Sequence, residues 1–410
     1  MRRLYSAYLL LSVLPSLAAV VAGVIVSRHA WAELRTASSS WVGTVALNAF
    51  QEDLARAVDS LAAAAVPTPV HPDDPAWDRV SQGGRVSGLR PRGSSAEVMV
   101  LTGPGPGDPP GSLRYASAPL PTAPVAVAQA MESRLTFYLN GRRVLETGDS
   151  PGPDTLPRQT LLALSAARAG LALTDGTGGA MVALDHPPGL PPSVVVTVGP
   201  STRPGAIPPP PLLLVVGLLF LTAGLAGRTL MRAPRGGSQR GRWSMVVVAL
   251  VPVLTALGFL VQADRLFRGA ERTESINELR RTLAVADARR VGSSPDRIRD
   301  LTGFHATLVD GGRIEKTTLA EPSAQLAALP PPPPSSTSSG VVDTPAGPSL
   351  FVARQLEGGA LLVVSRLRAD HGSRAFRRTM LTVGGVLVAW LLAGGWMAGI
   401  GARRSGDAPG

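Results

Sequence analysis

Residues 308–318 read LVDGGRIEKTT, with Lys316, the one lysine of the chain, following two glycines and preceding two threonines. The wording invites a phosphate-loop reading, but a Walker-type loop needs Gly directly before its Lys so that backbone amides can wrap the phosphates, and Glu315 stands there instead. Residues 138–148, YLNGRRVLETG, repeat the pattern 170 positions earlier, Asn140-Gly141 aligning with Asp310-Gly311. Asn, Asp and Gly tolerate the positive φ that a two-residue type I′ hairpin demands. Both stretches therefore predict a strand, a tight turn and a second strand.

The repetition extends outward from the turns. The same offset of 170 lays AMVALD (180–185) over LFVARQ (350–355), and SVVVTVG (193–199) and ALLVVSR (360–366) follow. Upstream, Leu47, Phe50, Leu54, Val58 and Leu61 recur every three or four residues, which predicts an amphipathic helix running to about residue 65. Ile276, Leu279, Leu283 and Ala286 mark its counterpart, ending before Gly292 and Pro295. Each unit reads as a tandem copy of helix, hairpin and further strands. The first carries an insertion at about 66–130 with candidate strands EVMVL (97–101) and LRYAS (113–117). The second carries PPPPPSSTSSG (330–340), expected to be too polar and proline-rich to pack.

Composition explains what flanks the repeats. The 410 residues are 45% hydrophobic and only 17% charged, the mixture of a membrane protein with large soluble segments. Residues 4–26 carry no charge and reach about 34 Å as a helix, enough to cross a bilayer core. Further spans are predicted at 212–231, 244–261 and 380–401. Between the middle two, the loop 232–243 is rich in arginine and free of acid, so the positive-inside rule makes it cytoplasmic, together with the tail 402–410. Residues 27–211 and 262–379 then lie outside the cytoplasmic membrane as two domains. Arg366, Arg368, Arg374, Arg377 and Arg378 crowd the outer end of the fourth span, against the usual charge bias. The small residues Gly395 and Gly399 in the fourth span, and Ala223 and Gly227 in the second, suit close helix approach and self-association.

A long outward helix followed by antiparallel hairpins with NGRR or DGGR turns, enclosed between two spans, resembles the Cache and CHASE-type, PAS-like sensor domains of bacterial receptors. Two such units over four spans are similar to the sensor half of membrane histidine kinases. The resemblance implies a four-helix membrane protein with two α+β extracytoplasmic domains, a small-molecule ligand held between sheet and loops, and a membrane signalling partner. Only nine residues follow the fourth span, so the expectation is a sensor without kinase output domains, the split or truncated half of a kinase.

Nothing in the residues points to catalysis. His29, His71, His186, His305 and His371 have no His partner at ligand spacing, HPDDP (71–75) reads as a solvated loop, and no G-x-S-x-G occurs. The expectation is a protein without enzymatic activity, cofactor or metal. The net charge of +11 comes with 4% aromatic residues and scattered arginines, which argues against nucleic acid as a partner. Arg134, Tyr138, Asp175, His305 and Arg354 lie on or beside the expected strands and are the candidates for lining a pocket. An envelope assembly protein whose outer domains bind a protein partner is the competing reading.

Overall fold

Positive φ angles at Gly311 (52°) and Gly312 (75°) fold strand β10 (His305–Asp310) back onto β11 (Arg313–Thr317). A computed structural model describes residues 12–69, 85–92, 95–109, 112–121, 123–147, 153–166, 173–174, 180–183, 194–199, 239–367 and 371–404. In the first repeat the same turn is made by Asn140 (48°) and Gly141 (77°), between β5 (Leu135–Leu139) and β6 (Arg142–Glu146). The equivalence is therefore Asn140 with Gly311 and Gly141 with Gly312, an offset of 171, which corrects the alignment of Asn140 with Asp310. Asp310 is the last strand residue, paired with Arg313, as Leu139 is paired with Arg142. Each hairpin also has its register shift at the same point, between Phe137 and Tyr138 and between Leu308 and Val309.

Beyond the hairpins the two sheets have one topology. The later one runs β11-β10-β14-β13-β12, with β12 Thr337–Thr344, β13 Gly347–Gln355 and β14 Leu361–Leu367. The earlier one runs β6-β5-β9-β8-β7, with β7 Leu173–Thr174, β8 Ala180–Ala183 and β9 Val194–Val198. Both are antiparallel with the order 2-1-5-4-3. Before each hairpin a short helix, α2 (Ala123–Ala130) or α5 (Pro295–Thr302), is followed within two residues by one of positive φ, Glu132 or Gly303, again 171 apart. After each hairpin a threonine closes the strand pair in the same way. Leu135 N donates to Thr147 Oγ1 (2.9 Å) and Ala306 N to Thr318 Oγ1 (2.9 Å).

Two parts depart from the sequence reading. The insertion builds its own four-stranded sheet, β1-β4-β3-β2, from Val66–Pro69, Ser112–Pro119, Ser95–Thr102 and Arg85–Arg92. The segment expected to stay unpacked after its prolines instead becomes β12, held to β13 over eight residue pairs from Thr337↔Arg354 to Thr344↔Gly347. Backbone hydrogen bonding to a buried neighbour outweighs a polar composition there.

Helix α1 (Leu14–Ala64) and helix α4 (Gln239–Ala288) precede the two repeats. The expected stripes are the buried ones. Leu47, Phe50 and Val58 pack with the first sheet and the insertion, and Leu279, Leu283 and Ala286 lie against Ala306, Leu350, Val352, Leu362 and Val364 of the second. Gly43 lets α1 approach closely: a Cβ there would stand 2.6 Å from Val182. The described parts of Arg35–Gly199 and Ser275–Leu367 form one compact unit.

The remaining described residues, up to Leu34, Gln239–Glu274 and helix α7 (His371–Arg404), form a separate helical unit. Its core joins Val20, Val253, Ala256, Leu260, Phe267, Phe376 and Met380. Among the described residues two helices, α1 and the Leu250–Ala288 part of α4, are long and apolar enough to cross a membrane by length and composition, where four spans are expected. The expected second span at 212–231 and the loop 232–238 lie outside the described residues, as do residues 4–11 of the first. The fourth lies within α7.

Replacing Gly312 by valine isolates the backbone requirement, because a Cβ there meets nothing nearer than Ala327 O at 4.0 Å. Gly312→Val is expected to lower stability by about 1–3 kcal/mol, and Gly312→Asn by less than about 1 kcal/mol, since asparagine tolerates positive φ. Thermal unfolding of the full chain in detergent measures both; equal losses would mean that the turn does not depend on φ.

Candidate functional site

Each sheet has an inner face on a long helix and an outer face, and the alternation of side chains assigns residues to one or the other. In the second sheet the outer face has an apolar half, Val309, Phe351, Ala353, Leu361 and Val363, covered by Leu326, Leu319 and Leu329. Its other half is polar. His305 pairs with Ser365 across the strands, and its Nδ1 lies 3.1 Å from Thr318 O. A carbonyl only accepts, so the proton sits on Nδ1. Thr307 Oγ1 and Thr317 Oγ1 are 2.8 Å apart, and Thr344 Oγ1 and Ser349 Oγ 3.3 Å. Ser349, Ser365 and Thr307 are buried, so the hydroxyls belong to a polar interior.

At an offset of 171, His305 corresponds to Arg134 and Thr317 to Glu146, and in the first sheet these two form an ion pair at 3.7 Å. Glu146 also receives Arg143 (2.9 Å). Two of the sequence candidates, Arg134 and His305, thus occupy one place in two sheets. Tyr138 is buried on the same outer face under Leu156, Leu161 and Leu164, its hydroxyl donating to Pro153 O (3.0 Å), and burial raises its pKa. Arg354 projects to the opposite face of the second sheet and pairs with Asp287 of α4. The four described candidates therefore do not line one pocket; Asp175, His71, His186 and the HPDDP segment lie outside the described residues. Lys316 is an exposed residue of β11, with no phosphate loop around it.

The polar half of the second sheet adjoins a seam that sequence reasoning missed. Trp41, Asn48, Glu52 and Asp53 recur on one side of α1. All four meet the second repeat, and Trp41 also packs against the core of the first sheet. The last carbonyls of α5, left without helical partners, accept from Trp41 Nε1 (Thr302 O, 2.9 Å) and from Asn48 Nδ2 (Leu301 O, 3.0 Å). Trp41 stacks on Phe304 at 5.3 Å between centroids, next in chain to His305. Arg366 lies 5.4 Å over the same Phe304 ring and donates to Glu278 of α4 (2.5 Å). Below them Arg289, itself buried, donates to Asp53 Oδ1 (2.6 Å) and Oδ2 (2.7 Å) and to Glu52 (3.0 Å), while Arg297 also reaches Glu52. The only sequence signal was a set of non-aliphatic residues at helical spacing beside the apolar stripe.

The electrostatics agree with this geometry. Burial alone would raise the Glu52 carboxyl, but hydrogen bonds from Arg297 and Arg289 outweigh it and hold the pKa below the ordinary 4.5. The hydrogen bond with Asp53 raises Arg289 above its usual value despite burial. What the arrangement offers chemically is hydroxyls, one imidazole and an ion cluster. Among the described residues no group of three or more His, Cys, Asp or Glu is placed to hold a metal. No protein-family model matches the chain, and comparison with curated proteins gives no match.

Removing Arg289 takes from the buried Asp53 carboxylate one of its two cations and leaves Arg56 at 2.5 Å, so Arg289→Ala is expected to cost about 1–3 kcal/mol, less than a fully stranded charge would. Because the folded pKa of Glu52 is depressed, its stabilisation is complete above pH 4.5 and is lost as pH falls from there through the folded pKa. Unfolding midpoints across pH 3–7 check this: Glu52→Gln should flatten the acid limb relative to the unmodified chain. An identical acid limb in both would remove Glu52 from the account.

Proposed function

We propose that the chain is the membrane-bound input module of a bacterial signalling system, with two PAS-like sensor domains, 27–211 and 262–379, outside the cytoplasmic membrane. The observation that carries this reading is the sheet order 2-1-5-4-3 occurring twice with one register and one turn, each copy preceded by a long helix whose earlier residues belong to the apolar unit. On this reading four helices, 4–26, 212–231, 244–261 and 380–401, cross the bilayer, with the arginine-rich loop 232–243 and the tail 402–410 inside. A small polar ligand meets the hydroxyls and imidazole around His305. Its binding changes the strand that follows Phe304, and the Trp41 contact and the Arg289 cluster pass the change to α1. The output belongs to another membrane protein contacted through the spanning helices.

The absence of native cysteine makes the topology directly testable. Single cysteines at Ser339, exposed on β12, and at Ser238 in the arginine-rich loop are expected to differ in intact spheroplasts. An impermeant maleimide should label Ser339→Cys and spare Ser238→Cys; the reverse pattern would invert the proposed orientation. For sensing itself, a thermal-shift screen of small polar metabolites against the full chain should find a stabilising class whose effect disappears in His305→Ala. A partner protein cross-linked to the outer domains, with no metabolite response, would favour an envelope assembly role instead.

A further inference from the structure

The helical unit carries a cationic ring. Trp31 of α1, Phe267 of α4 and Phe376 of α7 meet in one layer, with ring centroids 5.8 Å apart for the first pair and 4.6 Å for the second. Within three residues of that layer, about 4.5 Å along a helix axis, stand Arg28, Arg265, Arg268, Arg374, Arg377 and Arg378, all exposed. The acids in the same slab are Glu33, paired with His29, and the buried Asp264, bonded to Arg268 at 2.5 Å. None of the other five arginines is held by an acid among the described residues.

The large exposed apolar side chains of this unit lie to one side of the ring. On α1 they are Leu14, Val21 and Ile25, all before Arg28. On α4 they are Leu250, Val251, Leu254 and Val261, all before Arg265. On α7, Leu381, Val386, Trp390 and Leu392 all follow Arg378. The contacts of Gly23 with Leu260 and Met380, and of Gly384 with Leu257, show that α1 and α4 run together and α7 runs against them. In all three helices, then, passing the aromatic layer in one direction leads to exposed apolar surface, and the arginines mark its border.

We propose that this ring binds the phosphates of anionic lipid headgroups in the leaflet at its level. The inference rests on the membrane-spanning reading and adds the headgroup class that the outer part of the chain requires. Guanidinium forks match phosphodiester oxygens bidentately, which suits Arg better than a point-charge cation. The apolar belt fixes where the acyl chains lie, and the aromatic layer sits where amphipathic rings favour the interface. Arginines on the outer side of the fourth helix run against the positive-inside bias, and an occupied phosphate ring supplies their counter-charge.

The test uses the full chain reconstituted in nanodiscs of phosphatidylcholine with one quarter phosphatidylglycerol, followed by detergent extraction and mass spectrometry of the lipid retained. The unmodified chain should retain phosphatidylglycerol selectively. Each arginine near an anionic surface contributes about fivefold, so the Arg374→Gln, Arg377→Gln, Arg378→Gln triple variant should lose on the order of a hundredfold of that selectivity. A control removing equal charge far from the ring in sequence, Arg142→Gln, Arg299→Gln and Arg313→Gln, should retain it. Equal selectivity in the unmodified chain and the first triple variant would overturn the headgroup proposal alone, as would displacement by inorganic phosphate at matched ionic strength. Failure of the unmodified chain to incorporate into these nanodiscs would instead overturn the spanning reading beneath it.

Discussion

Residues 41–53 of α1 must satisfy two sheets at once. One stripe, with Leu47 and Phe50, is buried with the first sheet; a second, with Trp41, Asn48, Glu52 and Asp53, is bonded to the repeat that begins more than two hundred residues later. Since the first stripe is apolar and the second polar, they contribute differently. Apolar burial supplies most of the stabilisation. The hydrogen bonds to α5 carbonyls and the Arg289 fork fix register and azimuth, because those partners cost free energy if left unpaired in the interior. The two sheets thus share one helix.

That constraint gives meaning to the differences between two sheets of one topology. At the position of His305 the first sheet has Arg134, closed off by Glu146, with Tyr138 buried beside them. The second has a histidine among neutral hydroxyls. A closed ion pair resists change, whereas an imidazole beside hydroxyls can exchange hydrogen-bond partners. In the sensor role proposed above, the first domain would be structural and the second responsive, with Phe304 joining the start of β10 to Trp41.

Local features were legible in the sequence, since hairpin turns, amphipathic stripes and strand alternation depend on neighbours in the chain. The turn at Asp310-Gly311-Gly312 was placed one residue early because all three residue types tolerate positive φ, and only pairing with Arg313 decides which two make the turn. Residues 337–340 looked unstructured because composition says nothing of a partner strand. The seam was invisible for the same reason: Trp41 and Thr302, or Asp53 and Arg289, are joined by topology alone. Among the described pocket candidates Arg134 and His305 proved equivalent and Arg354 lies on the opposite face of its sheet, because alternation fixes a face only once the register is known.

Native-state hydrogen exchange of the full chain with Trp41→Ala tests the coupling most directly. Amides of β10 are reported separately from those of α1, and the substitution touches no residue of the second sheet covalently. If α1 couples the domains, protection should fall in β10 and in the last turn of α5 as well as around residue 41, while β5 keeps its protection. Loss confined to α1, with His305–Asp310 exchanging as in the unmodified chain, would contradict the account.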